Sequence, residues 1–199
     1  MTTFEYLAVL FSVVVGLALA QTLQGLLRLV QYRESVSVSW PALIWTAAVL
    51  QWAVFFWWFS GLNLAQAEEW HFSGLLFVLA YGAVLFFLLG LLYPNELGQG
   101  FDMRAHFDHN RPWFFGAFLG LGLLDVVDTW FKLANGLSSL SGRRLVEYIA
   151  FLAIWLVSGA TAIRVKHAGF VGLAGLLFIV MTYYIAMQTP VMGVMLLGP

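Results

Sequence analysis

Cysteine is absent from all 199 residues. That removes disulfides, thiolate metal sites and a thiol nucleophile. Charge is scarce as well: 10% of residues are Asp, Glu, Lys or Arg, against roughly 25% in an average soluble domain. The nine basic residues are scattered, with Arg143-Arg144 the one adjacent pair, so nucleic-acid binding has no electrostatic footprint. Walker and dinucleotide glycine fingerprints are missing, as are a Gly-x-Ser-x-Gly elbow, a His-Glu-x-x-His helix and a Thr-Val-Gly-Tyr-Gly filter. No cofactor is therefore implied, and enzyme chemistry has no motif to rest on. What fills the chain instead is apolar side chain, at 62% of residues and a mean hydropathy of +0.88. A soluble core cannot absorb that much, and disorder requires the opposite composition. The remaining class is an all-α polytopic membrane protein.

A helix needs about 20 apolar residues to cross the roughly 30 Å hydrocarbon layer. Six segments qualify, at about 5–28, 41–63, 72–93, 113–134, 146–164 and 168–188. The tail 191–199 is too short to span and is expected at the interface. No Lys or Arg precedes Arg28, so the first segment does not read as a cleaved leader. Positive charge follows it instead, which favours an outside N-terminus. The inner loops then hold Arg28, Arg33, Arg104, Arg111, Arg164 and Lys166, and the outer loops Lys132, Arg143 and Arg144. Both termini fall outside. Of the nine Trp, Trp40, Trp70, Trp113 and Trp130 lie near span ends, as an interfacial belt requires. Trp45, Trp52, Trp57, Trp58 and Trp155 lie deeper, and Trp57-Trp58 reads as a lipid-facing or interfacial pair.

The two halves resemble each other. Gly16 aligns with Gly120, Gln21 with Asp125, Gln24 with Asp128 and Arg28 with Lys132, without a gap. Further on, Trp52 meets Trp155, and Gly74-Leu-Leu-Phe-Val meets Gly175-Leu-Leu-Phe-Ile. Three helices per half is an odd number, so joined halves cross the membrane in opposite senses. The expectation is one membrane domain built as a 3+3 inverted-topology repeat. Repeat 1 covers 1–93, a connecting loop 94–112 and repeat 2 113–190.

Small residues let membrane helices approach. Ser12, Gly16 and Ala20 recur every four residues and Gln24 continues the row; Gly116 and Gly120 form an equivalent row continued by Asp128. These rows are expected to pack together as a helix 1–helix 4 seam. Gly169, Gly172 and Gly175 form a third small ridge, read as packing. Carboxylates inside a span must be paired, protonated or wet. Asp128 has Lys132 one turn on, with Arg143 and Glu147 arriving from the same side, so it reads as an interfacial ion pair. Asp125 has no partner in sequence and is the candidate for a proton relay or cation site, with Gln21 and Gln24 as uncharged counterparts. In the central loop, Asp102, His106 and His109 would share one helical face and could bind a divalent metal; a headgroup contact is the competing reading.

The run Phe4-Glu-Tyr-Leu, Ser12, Gly16-Leu-Ala, Leu23-Gln-Gly-Leu-Leu-Arg28, followed by Trp45, Gln51-Trp52 and Trp57-Trp58, resembles uncharacterised small bacterial polytopic inner-membrane proteins. It implies a bacterial inner-membrane location and carries no activity. A fainter likeness is to six-helix bacterial and lysosomal potassium channels, whose first helix bears Phe-Ser-Asp. Here Phe11-Ser12 is followed by Val13, so the aspartate is missing. Those channels have an apolar constriction that Leu17, Leu19 or Leu23 would supply. Two functions follow from these residues. One is a small-solute or ion pathway, proton-coupled or not, at the seam with Gln21, Gln24, Asp125 and Asp128, working as a homo-oligomer in the lipid bilayer. The other is a non-transporting sensor or partner subunit whose polar cluster only locks helices together.

Overall fold

The computed structural model describes residues 3–64, 72–94, 100–134 and 140–188. It contains six helices: α1 Thr3–Gln31, α2 Trp40–Leu64, α3 Phe72–Leu92, α4 Met103–Ala134, α5 Arg143–Arg164 and α6 Ala168–Gln188. All six are long and apolar enough to cross a membrane. The protein is thus an all-α, multi-pass membrane protein. Trp70 and the tail 191–199 lie outside the described residues.

The order of helices in space differs from the order in sequence. α1 lies along α3, α3 along α4, α4 along α5, and α2 along α6; α2 also meets α1, α3 and α4. Among the described residues, the backbones of α1 and α4 do not come together. The seam expected between them is therefore not formed within the chain. A Cβ added at Gly16, Gly116 or Gly120 would meet no other atom within 4 Å, and Ser12, Ala20 and Gln24 are exposed. Geometry explains part of the miss. A row at four-residue spacing drifts about 40° per step around a 3.6-residue helix, so Asp128 stands on a different face from Gly116. Nor does the packing exchange between halves. A two-fold swap would require α4 along α6 to match α1 along α3, and α3 along α5 to match α2 along α6. Neither contact occurs among the described residues. Leu- and Gly-rich helices align by composition, while packing follows the faces that carry rings.

Those rings make the core. Trp45 of α2 stands edge-on to Phe114, Phe115 and Phe118 of α4. Trp52, one heptad further along α2, meets Trp155 of α5 edge-on at 4.7 Å and also contacts Phe151 and Phe178. Lipid offers no hydrophobic drive to helix association, so such contact is what holds the spans together; each ring pair adds about 0.5–1.5 kcal/mol. Trp45, Trp52 and Trp155 are thus core residues, while Trp40 and Trp130 are exposed near helix ends and Trp113 is exposed within α4. Trp57 is exposed too and donates its indole N–H to Ser12 Oγ at 3.1 Å.

Two of the buried indoles use the same local device. Trp155 Nε1 donates to the carbonyl of Phe118 at 2.9 Å, and Trp45 Nε1 donates to the carbonyl of Val171 at 3.0 Å. In each case the residue four places on, whose N–H donates to that carbonyl in the helix ladder, is glycine. A Cβ on Gly122 would stand 3.2 Å from Trp155, and one on Gly175 would stand 3.3 Å from Trp45. The missing side chain opens the notch through which the indole reaches the backbone.

α4 begins ten residues before the expected start of the fourth span. Asp102 Oδ1 accepts the backbone N–H of Arg104 at 2.8 Å and of Ala105 at 3.1 Å, an N-cap that satisfies the first turn. Polar composition and Pro112 made this stretch read as a loop, yet Pro112 sits inside the helix. The connection before α4 pairs with the one before α2: Ser37 N–H donates to Phe101 O at 3.0 Å, and Met103 N–H to Ser37 O at 3.1 Å.

Two outcomes are expected. Gly122→Val should cost about 1–3 kcal/mol by overpacking and lower the unfolding midpoint in detergent, while Gly116→Val should leave it unchanged. The hydrogen bonds at Asp102 hold its carboxyl below the ordinary value of 3.8. Their contribution is complete above that value and lost as pH falls through the lowered one. A midpoint measured across acidic pH should fall in the wild type, and Asp102→Ala should flatten this acid-dependent part.

Candidate functional site

The face of α4 that buries Phe114, Phe118 and Leu121 continues past Gly122 into polar residues. Asp125, Asp128, Thr129 and Lys132 follow at helical spacing i, i+3, i+4 and i+7, which places all four on one stripe. α3 and α5 both pack along α4, and α5 reaches this stripe through Tyr148.

Tyr148 of α5 donates its hydroxyl to Asp125 Oδ2 at 3.2 Å, and the Thr129 hydroxyl bonds to that of Tyr148. Asp125 is therefore held by a neutral donor. Asp128 takes the ammonium of Lys132, four residues on. Only 16% of the Asp128 side chain and 13% of the Lys132 side chain are exposed, so this pair is shielded, unlike an ordinary surface bridge. From α3, the fully buried Tyr81 faces Asp125 and Asp128 within electrostatic range. The Tyr81 hydroxyl also accepts the indole N–H of Trp52 at 2.8 Å.

Arg143 and Glu147 form a separate pair nearer the helix ends. Arg143 Nε donates to Glu147 Oε1 at 2.6 Å, and Arg143 Nη2 donates to the Tyr184 hydroxyl of α6 at 2.8 Å. This ties α5 to α6 on the surface.

The glutamines stand elsewhere. Gln21 points from α1 toward α3, with its amide beside Gly90, and its Oε1 is buried without a hydrogen-bond partner. Gln24 is exposed on the outer side of α1. Among the described residues α1 and α4 make no backbone contact, and neither glutamine is brought to the Asp125 group. Leu17 and Leu23 are also exposed, at 57% and 58%, while Leu19 is partly buried against the core.

The three metal candidates have separate tasks. Asp102 caps α4. His106 Nε2 lies 3.2 Å from the Leu91 carbonyl at the end of α3 and 3.1 Å from Asn110 Nδ2. His109 is exposed. Among the described residues, no three His, Asp or Glu stand together as a metal set.

Tyr148, Tyr81 and Thr129 are the members that sequence reading missed. Thr129 was recoverable, because extending the Phe118 stripe by helical spacing reaches it. Tyr148 and Tyr81 carry no such signal, because each enters from another helix.

Lys132→Met should strand the Asp128 carboxylate and cost about 3–5 kcal/mol. Adding Asp128→Asn should restore most of that loss, because the charge and its partner then disappear together. Unfolding of the three proteins in one detergent measures this.

Comparison with protein-family models, curated proteins and solved structures returns no match, so neither resemblance drawn from the sequence finds a counterpart there. The residues themselves define a polytopic membrane protein with six candidate spans.

Proposed function

We propose that this chain is a non-transporting membrane module, a sensor or partner subunit, whose α4 polar stripe locks α3, α4 and α5 together. The observation that carries this reading is the filled interior. Trp45, Trp52, Phe118, Trp155 and Phe178 pack against one another between α2, α4, α5 and α6. They occupy the space that a conduit from the Asp125 group toward the other end of the bundle would need. The polar groups of the stripe bond mainly to one another, as a lock requires. Association with a second copy or a partner belongs to the outer face of α1, where Ser12, Gly16, Ala20 and Gln24 are exposed. The basic end of the bundle faces the cytoplasm of a bacterial inner membrane in this reading, following the distribution of Arg and Lys.

The second reading is a small-solute or ion pathway using Asp125 and Asp128, assembled with further copies. It is favoured by two features: Asp125 has a neutral hydrogen-bond donor and no cation of its own, and Gln21 keeps an unused buried acceptor.

Flux measured in proteoliposomes separates the two. For the module, proton and potassium flux should equal that of empty vesicles, and Asp125→Asn should change neither flux nor folding much. Asp125→Ala should destabilise the α4–α5 contact, because Tyr148 loses its acceptor. Flux above background that disappears in Asp125→Asn would overturn the module in favour of the pathway.

A further inference from the structure

A cavity of about 110 Å³ opens at the end of the bundle opposite the Asp125 stripe. Roughly 30 Å³ is one water's share of liquid volume, so the space suits a group of a few heavy atoms. Three chain connections meet around it: the approach to α2, the first turns of α4 and the short link from α5 to α6. Ser39, Trp40, Arg104, Arg111, Lys166 and Ala168 are among its walls.

The charge of these walls is one-sided. Arg104, Arg111 and Lys166 supply three cations, and Asp108 supplies the one carboxylate. Trp40 and Ala168 begin α2 and α6, so two helix N-termini open onto the same space. Their N–H groups and dipoles favour an anion. The independent sign is Arg111. It is 3% exposed, and its guanidinium donates to the Val165 carbonyl and to Asp108. Its Nε–H is buried with no partner. Arg111 also lines the cavity, so a buried and oriented positive charge stands beside it, and an anion there would be drawn to it. Apolar walls from Val38, Phe107 and Val171, with the half-exposed Trp40 at the rim, suit a ligand whose other end is apolar.

We infer that this cavity binds a phosphate group, presented by an anionic phospholipid headgroup or by a phosphate-bearing solute. Arg111 supplies the fixed donor, Arg104 and Lys166 the flexible cations, and the starts of α2 and α6 the backbone donors. Asp108 holds Arg111 in place and limits the site to an anion strong enough to compete with it. This inference is independent of whether the chain transports.

The test uses the full chain purified in detergent, with the unfolding midpoint and native mass spectrometry as readouts. The probes are inorganic phosphate against chloride at constant ionic strength, and phosphatidylglycerol against phosphatidylcholine in mixed micelles. Arg104 and Lys166 are exposed, so the double variant Arg104→Gln, Lys166→Gln should fold even where Arg111→Gln does not. Arg143→Gln, Arg144→Gln at the other end is the charge-matched control. The site predicts a raised midpoint and a bound adduct that weaken about tenfold in the Arg104, Lys166 variant and persist in the control. A response to phosphatidylglycerol alone identifies the headgroup as source, and a response to inorganic phosphate identifies a solute. No response to either probe, equal response to phosphatidylcholine, or equal weakening in the control overturns the inference.

Discussion

An indole N–H reaching a backbone carbonyl across a glycine is the contact on which this bundle depends. Water does not press membrane helices together, so shape and hydrogen bonding decide which helices touch. Trp155 secures α5 to α4 at Gly122, and Trp45 secures α2 to α6 at Gly175. Each bond also gives a buried donor its partner, which matters where no water can substitute. Trp52 completes the set by donating to Tyr81 of α3. Four of the six helices thereby meet at one ring cluster, and α3 joins it through the Tyr81 hydroxyl and the Tyr81 ring stacked on Phe56.

The same hydroxyl lies within electrostatic range of the carboxylates. Tyr81 faces Asp125 and Asp128, and Tyr148 holds Asp125 from the other side. The polar stripe is therefore an extension of the packed face of α4 and not a separate lining. That continuity is why the module reading accounts for more of the geometry than a conduit does. The opposite end of the bundle is built differently. There the chain connections are short and basic, and a buried guanidinium lines a small cavity. One end is consumed by internal contacts, while the other retains capacity for a ligand.

The small-residue rows show why motif spacing alone misleads in membrane helices. Ser12, Gly16 and Ala20 look like a packing seam, yet they lie on the outer side of α1. The close approach of α1 to α3 uses Gly82 beneath Val14 and Gly25 beneath Tyr93 instead. Glycine permits approach without choosing the partner. The partner is chosen by the bulky residue opposite, and in a chain rich in both, many pairings satisfy the pattern.

The linear chain by itself determined the class, the number of spans and the pairing of Asp128 with Lys132, because length, apolar content and i,i+4 spacing are local properties. It also marked Asp125 as a carboxylate in need of a partner. Only the tertiary structure decided that the partner is Tyr148, that Trp45, Trp52 and Trp155 are core and not belt, that α1 and α4 stay apart, and that residues 103–112 are helix. Each of those depends on residues far apart in the chain or on a cap outside the apolar run. In a uniformly apolar helix the side that faces protein and the side that faces lipid carry the same composition, so periodicity cannot tell them apart.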